Sequence, residues 1–482
     1  MTHSVVVYED AGWQRFLPLA YFRATFQLTC GMDDLLAKVR RLVAGSHRGA
    51  GGNGHRTADN LEAWCRPAIA DVVAEQTELA VNRPPSGSAL LLNGRGYWTS
   101  LPEVRADDRA WVGIAGSSRA VACVFADAEL ASRLSAEVLL DETRAEAALA
   151  ELPRRDLSDR VQLLDWPWEV VRANPAALVA DWRTRVMGCT ATWNLAWRDC
   201  ERQWRDDDVA CSLIHSNVDK GSHLLGLESI QIGRHTRIKP CVVIDAENGP
   251  VWIADNVTVQ PHSYIQGPAY IGPGCLLQPG TVIREGTTIG PNCKVGGDIE
   301  GSILHGNSHK QHDGYLGHSY VGSWVSIAAD CINSDLKNTY GTVRVPINGR
   351  EVETGEMLVG TLVGDYSKTA VNVSFPTGAV VGFCSNVLTP RSPKFVPSFA
   401  WLDGDTLQPY DAIQALAIAR TVMLRRNCQM TAAQECLFFQ VRQQALMIEH
   451  VGQAWREPKR LAAKPAGHNG NGRKKSILCR TS

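Results

Sequence analysis

The chain has 482 residues, 44% hydrophobic and 21% charged, with a formal net charge of -1. Such a length allows two or three domains of ~100–200 residues each, and a balance so close to zero supplies no global field for nucleic acid or an anionic membrane. Fourteen cysteines without a CxxC pair point to reduced, buried thiols in a cytoplasm rather than to disulfides or structural zinc. The start, MTHSVVVYEDAGW, lacks the basic flank and long apolar stretch of a signal peptide, and no 18-residue apolar segment follows.

Residues 1–205 alternate apolar strands (Val5–Tyr8, Ala89–Asn93, Ala120–Phe125) with helical stretches (Met32–Val43, Asp127–Leu149). This predicts an α/β domain on a mainly parallel sheet. The glycine-rich Gly45–His55 neither follows a strand nor ends in GK[ST], so it reads as a surface insertion rather than a phosphate loop. Tryptophans crowd 164–205, a segment expected to pack between domains, and 206–223 reads as a linker.

From there a different period takes over. Ile253, Val259, Ile265, Ile271, Leu277, Ile283, Ile289 and Val295 recur every six residues, and the fourth residue after each of the first seven is mostly small: Val257, Ser263, Ala269, Cys275, Thr281, Thr287, Cys293. Neither a helix (period 3.6) nor a lone strand (period 2) needs this spacing, whereas a hexapeptide solenoid does. Each hexad is a flat strand plus a corner, and three make one triangular coil. Ile232, Ile238 and Ile244 extend the frame backward; Val321, Ile327, Val363, Phe375, Val381 and Val387 extend it forward. The predicted β-helix covers 224–402, with Ser334–Gly355 thrown out as a loop. Helical periodicity over Asp411–Arg426 and Thr431–Val451 suggests a C-terminal cap (409–455) for the open prism end. The basic, apolar-poor 457–482 reads as a disordered tail.

The frame fails between Val295 and Val321, where the sequence reads HGNSHKQHDGYLGHSYVG from His305; there His309 and Tyr315 fall on the aliphatic positions. A histidine beside such a prism suits acyl transfer, which needs a base of near-neutral pKa. With FLPLAYFR (16–23), GPVWI (249–253), TTIGPNCKVGG (287–297), KQHDGYLG (310–317), SDLKNTYG (334–341), GDYSKTAVN (364–372) and PKFVPSFAW (393–401), the chain resembles the bifunctional N-acetylglucosamine-1-phosphate uridyltransferase / glucosamine-1-phosphate acetyltransferase family (GlmU-like). Within it, the resemblance is closest to a divergent bacterial branch of sugar nucleotidyltransferases.

The resemblance implies a nucleotidyltransferase-like (Rossmann-like) domain followed by a left-handed parallel β-helix, assembled as a homotrimer in the cytoplasm. The implied chemistry is nucleotidyl transfer to a sugar 1-phosphate and acetyl transfer to an amino-sugar phosphate, as in the making of UDP-N-acetylglucosamine. The implied small-molecule partners are an NTP, a sugar phosphate and acetyl-CoA, with Mg2+ for the nucleotidyl step. His312 falls on the general base and Tyr315 on a residue that holds the sugar phosphate. Ser326 and Ala329 fall on contacts to acyl-CoA, and Lys337 and Asn338 in a substrate loop. Lys310 reads as a further substrate contact. Gln278 stands where the family grips phosphate with arginine, and glutamine offers no charged fork; Lys294, Lys310 or Arg284 are candidates to compensate. In the first domain only Gly12 remains of the expected glycine-rich loop. Arg15 and Arg23 are candidate nucleotide-binding cations, and Asn93 stands where a magnesium-binding aspartate is expected. Two alternatives compete: a non-catalytic trimeric scaffold with a degenerate first domain, and a zinc site built from His305, His309, His312 and His318, as in gamma-class carbonic anhydrases.

Overall fold

The computed structural model describes residues 3–46, 61–105, 107–116, 119–187, 214 and 216–449. The tryptophans at 193, 197 and 204, the glycine-rich stretch from 47 onward, most of the linker and the basic tail lie outside these residues.

The first domain is built on a seven-stranded sheet in the order Arg154–Asp156, Trp111–Ala115, Ala120–Ala126, Ala89–Asn93, Ser4–Tyr8, Leu61–Trp64, Ala80–Val81. Four pairings are parallel; Ala120–Ala126 runs antiparallel to both its neighbours. Both faces are covered: Val5 and Val7 join one apolar cluster, Val6 and Tyr8 another. Strands buried on two sides read as continuous apolar runs, as VVVY and ALLL do. The expected long helix over Asp127–Leu149 is instead three short ones, Ala128–Ala131, Ala136–Leu139 and Glu142–Leu149. Each starts anew because Asp127, Ser135 and Asp141 accept hydrogen bonds from the backbone N–H three residues on.

The hexad frame folds as a parallel β-helix. All eight framing residues from Ile253 to Val295 are fully buried, and they stack in register one coil apart: Ile253 on Ile271 on Ile289, Val259 on Leu277 on Val295. The strands form three faces, two of six strands and one of nine. One coil differs. Val295 pairs with Lys310, fifteen residues on instead of eighteen, and Ile299 pairs with Leu316. The interior positions are therefore Lys310 and Leu316, not His309 and Tyr315 as the simple frame predicts. A one-residue slip exchanges inside for outside.

Part of the loop after Ser334 is an antiparallel hairpin, Arg344–Ile347 with Arg350–Glu353, which reaches the first domain through an Asn348 hydrogen bond to the Gln14 carbonyl. The last coil ends in a second hairpin, Ala400–Asp403 with Thr406–Pro409. The C-terminal helices Ala412–Leu424 and Ala432–Ile448 do not close the prism end, contrary to expectation. Phe438 packs along its flank against Tyr366, Phe383 and Phe399, and also meets Phe22 of the first domain. Three buried polar contacts fasten the modules. Arg23 pairs with Asp365 at 2.8 Å. Asn174 donates to the Gly286 carbonyl and to Thr288 Oγ1. Tyr21 donates to Glu449 at 2.7 Å.

Candidate functional site

The shortened coil opens the solenoid surface. Gln278, Pro279, Gly296, Gly297, Gln311, His312, Asp313, Ala329 and Asp330 line a depression of about 520 Å3. His312, Gln278 and Ala329, all singled out from the sequence, meet there. His312 is exposed on the turn that follows the strand His309–Lys310. That turn is held from below by Lys310. Its side chain is wholly buried, and its Nζ donates to the carbonyls of Gly296, His312 and Asp313. Burial pushes the Lys310 pKa down to about 8. With three N–H donors spent on three carbonyls, Lys310 has none left for a substrate. The expectation that it binds substrate is corrected: it supports the loop that carries His312.

Beside the depression Tyr315 and His318 meet two carboxylates, Glu300 and Asp335, that the sequence reading did not name. The Tyr315 hydroxyl lies 3.0 Å from a Glu300 oxygen and 2.8 Å from an Asp335 oxygen, with one proton to share between them, and His318 Nδ1 lies 2.7 Å from the same Asp335 oxygen. Burial, with the two carboxylates added, raises the Tyr315 phenol well above its ordinary value. Burial alone would raise Asp335, but the hydrogen bonds from His318 and Tyr315 outweigh it and hold the carboxyl low. The motifs SDLKNTYG and YLGH carry Asp335 and His318, but nothing local joins them to each other or to Glu300. Ser326 sits on a flat face between His309 and Lys368. Lys337 bonds to the Thr342 carbonyl and Asn338 is exposed; none of the three lines the depression.

The four histidines do not converge. Half-buried His305 faces Thr29 of the first domain at 3.2 Å, His309 lies against Arg426, and His318 is on Asp335. Burial, and then nearby arginine, lowers His305 strongly and His309 to about 4, so both rings are neutral at pH 7. Among the described residues no three His, Cys, Asp or Glu side chains form a metal-holding group. The zinc alternative is corrected on this geometry.

In the first domain, ligands of open α/β sheets sit beyond the carboxyl ends of strands where the strand order reverses, here between Ser4–Tyr8 and Ala89–Asn93. That place is filled by paired charges. Arg95, 3% exposed, forks Asp10 (Nε–Oδ1 2.8 Å, Nη2–Oδ2 2.6 Å), and its Nη1 reaches Asp165 at 2.6 Å. Asn93 donates to Asp10 (2.9 Å) and to the Val121 carbonyl. Arg15 pairs with Asp165 at 2.6 Å and lies over the Trp166 ring. Burial works against each charge, yet Asp10 is held low by Arg95, and Arg95 is raised by Asp10 and Asp165. The oxygens to which a divalent cation would bind, on Asp10, Asp165 and Asn93, already surround a guanidinium or are spent on its partners. These residues as arranged do not fit Mg2+. Arg23 is also corrected. It joins the modules through Asp365 and Ser323 and borders a separate cleft of about 490 Å3 between the domains, which Asp34, His305 and Trp324 also line.

Comparison with known proteins bears on both modules. Residues 5–190 match the sugar nucleotidyl transferase family model, and residues 250–285 and 268–298 match the bacterial transferase hexapeptide (six repeats) model. The chain thus joins a stretch similar to sugar nucleotidyl transferases to a stretch similar to transferase hexapeptide repeats. Curated relatives match over a short stretch. The "Bifunctional protein GlmU" of Methanococcus maripaludis strain C7 is 33% identical over 85 residues, 18% of this chain and 20% of the relative. The "Bifunctional sugar-1-phosphate nucleotidylyltransferase/acetyltransferase" of Sulfurisphaera tokodaii is 27% identical over 91 residues, 18% of this chain and 23% of the relative. The chain thus spans about a fifth of the length of these relatives. Among solved structures, LpxA of Acinetobacter baumannii is 17% identical, covering 52% of this chain and 98% of that one, at a TM-score of 0.25. At that score the likeness carries no weight, and the β-helix assignment rests on strand register and the repeat match.

Proposed function

We propose that the chain is a two-module transferase of sugar-nucleotide metabolism. The solenoid transfers an acyl group from acyl-CoA to the amine of an amino sugar, and the first domain transfers a nucleotidyl group from an NTP to a sugar 1-phosphate. The observation that carries the reading is the meeting of His312, Gln278 and Ala329 around one open depression on a hexapeptide solenoid. His312, held on the Lys310-braced turn, removes a proton from the amine as its nitrogen attacks the thioester carbonyl. The C–S bond then breaks and the proton passes to the departing CoA sulfur. Assembly as a trimer in the cytoplasm and acetyl as the acyl group belong to this proposal. For nucleotidyl transfer, Arg15 is half-exposed and is the cation best placed to exchange Asp165 for phosphate oxygens. No step is assigned to Mg2+.

The test measures both halves on purified protein: CoA release from acetyl-CoA with an amino-sugar acceptor, and pyrophosphate release from UTP or dTTP with a sugar 1-phosphate. Loss of CoA release in His312→Ala supports the base; unchanged release removes it. A second reading, a binding scaffold whose first domain no longer transfers nucleotides, is favoured by the Asp10–Arg95–Asp165 cluster. It predicts no pyrophosphate release under any condition.

A further inference from the structure

We infer, given that the solenoid depression is the acyl-transfer site, that its acceptor is an amino sugar carrying no phosphate on the part of the ring that enters it. Apart from His312, the ionisable side chains of the lining are Asp313 and Asp330, both acidic and exposed. Among the described residues that line it, a phosphate dianion meets like charge and no guanidinium or ammonium, whereas phosphate sites are built from Arg, Lys or clustered N–H groups. Gln278 offers a neutral amide.

The nearby cations are committed elsewhere. Lys310 lies directly beneath, but its three donors point to the Gly296, His312 and Asp313 carbonyls. Arg284 forks Asp298 through two 2.8 Å bonds, and Lys294 is not part of the lining. The floor itself cannot take on a basic side chain. A Cβ at Gly296 would lie 2.6 Å from the Gln311 carbonyl oxygen. One at Gly297, whose φ is +78°, would lie 2.5 Å from that of Gly314. The same surface suits an amine and ring hydroxyls. Asp313 and Asp330 attract an ammonium, which releases one proton to solvent before His312 takes the next from the attacking amine, and the Gln278 amide both donates and accepts.

The experiment uses the full-length chain with acetyl-CoA and compares glucosamine, glucosamine 1-phosphate and glucosamine 6-phosphate by mass-spectrometric detection of the acetylated product. The expected result is a kcat/KM for glucosamine at least tenfold above either phosphate. Gln278→Arg is expected to cut that ratio at least tenfold by raising the phosphorylated acceptors, and Asp313→Asn to cut it about threefold. Preference for a phosphorylated acceptor in the wild type, or a ratio unmoved by Gln278→Arg, overturns the acceptor assignment while leaving acyl transfer standing. Absence of product from all three acceptors overturns acyl transfer and the acceptor assignment together.

Discussion

The chain presents two places where a ligand is expected, and they are built in opposite ways. On the solenoid, the polar work is done beneath the surface: Lys310 satisfies the carbonyls of the turn, and His312 is left exposed above an open depression. In the first domain, the crevice at the strand ends is closed by side chains that satisfy one another, with Arg95 buried between Asp10 and Asp165. A site ready for chemistry keeps a reactive group free on a rigid support. A crevice whose charges are already paired has to give up those pairs before it can hold anything. The contrast favours the proposed acyl-transfer site over the proposed nucleotidyl-transfer site, although the family match covers the first domain almost entirely.

The largest expected effect tests the open side. His312→Ala should lower kcat/KM for acyl transfer by about 10²–10⁴-fold and change stability by no more than about 0.5 kcal/mol, because the side chain is exposed. Activity within threefold of wild type would reduce the contrast to one of shape. The closed side answers to Arg95→Met, which leaves Asp10 with only neutral donors and Asp165 with Arg15 alone. The first-domain unfolding transition in urea should lose about 3–5 kcal/mol; a loss under about 1 kcal/mol would mean that the cluster is solvated like a surface pair.

The solenoid was legible because its signal is local and repeated: an aliphatic side chain every sixth residue, each fully buried. The family resemblance named His312 and Gln278, one inside the break in the frame and one on it, and the structure brings both to one depression. Lys310 was misread because its coil is three residues short, which brings a lysine to an interior position that the unbroken period assigns elsewhere. Arg23 was misread for another reason: its partner Asp365 lies 342 residues away, and no local pattern reports such a pairing. Arg95 followed Asn93 in plain view, but its role depends on Asp10 and Asp165 arriving from two other segments. The breaks in Asp127–Leu149 did have a local signal, the capping Ser135 and Asp141, and the apolar periodicity outweighed it.

Lys310→Met sharpens what lies beneath the open site. Removing the ammonium leaves three carbonyls without their donor, an expected loss of about 2–3 kcal/mol at pH 7. Its pH signature is specific. The folded pKa of about 8 lies below that of a free lysine, near 10.4. Between these values the unfolded chain binds more protons, so wild-type stability rises with pH across that window relative to the variant. A wild-type-minus-variant difference that is flat from pH 8 to 10 would show that the ammonium is not confined under the turn.

The smallest effect lies at the seam between the two regions. Asp34 lines the interdomain cleft, and its pKa is raised to about 6, first by burial and then by Asp33. Its Oδ1 also accepts the Ala37 N–H at 2.7 Å, at the start of the helix Leu35–Ser46. Between pH 4 and 6 the folded protein binds more protons than the unfolded chain, so stability falls as pH rises through that window, and at pH 7 the ionised carboxylate is a net cost. Asp34→Asn keeps an oxygen for the Ala37 N–H and removes the charge. The variant should be more stable than wild type by about 1–2 kcal/mol at pH 7, solvent access at the cleft mouth reducing the full two-unit value. The advantage should disappear near pH 4, where the native carboxyl is protonated. If the variant instead loses stability at pH 7 and not at pH 4, the seam is held by the Asp34 charge acting on Lys38 and Arg40, and the cleft is as tightly paired as the crevice around Arg95.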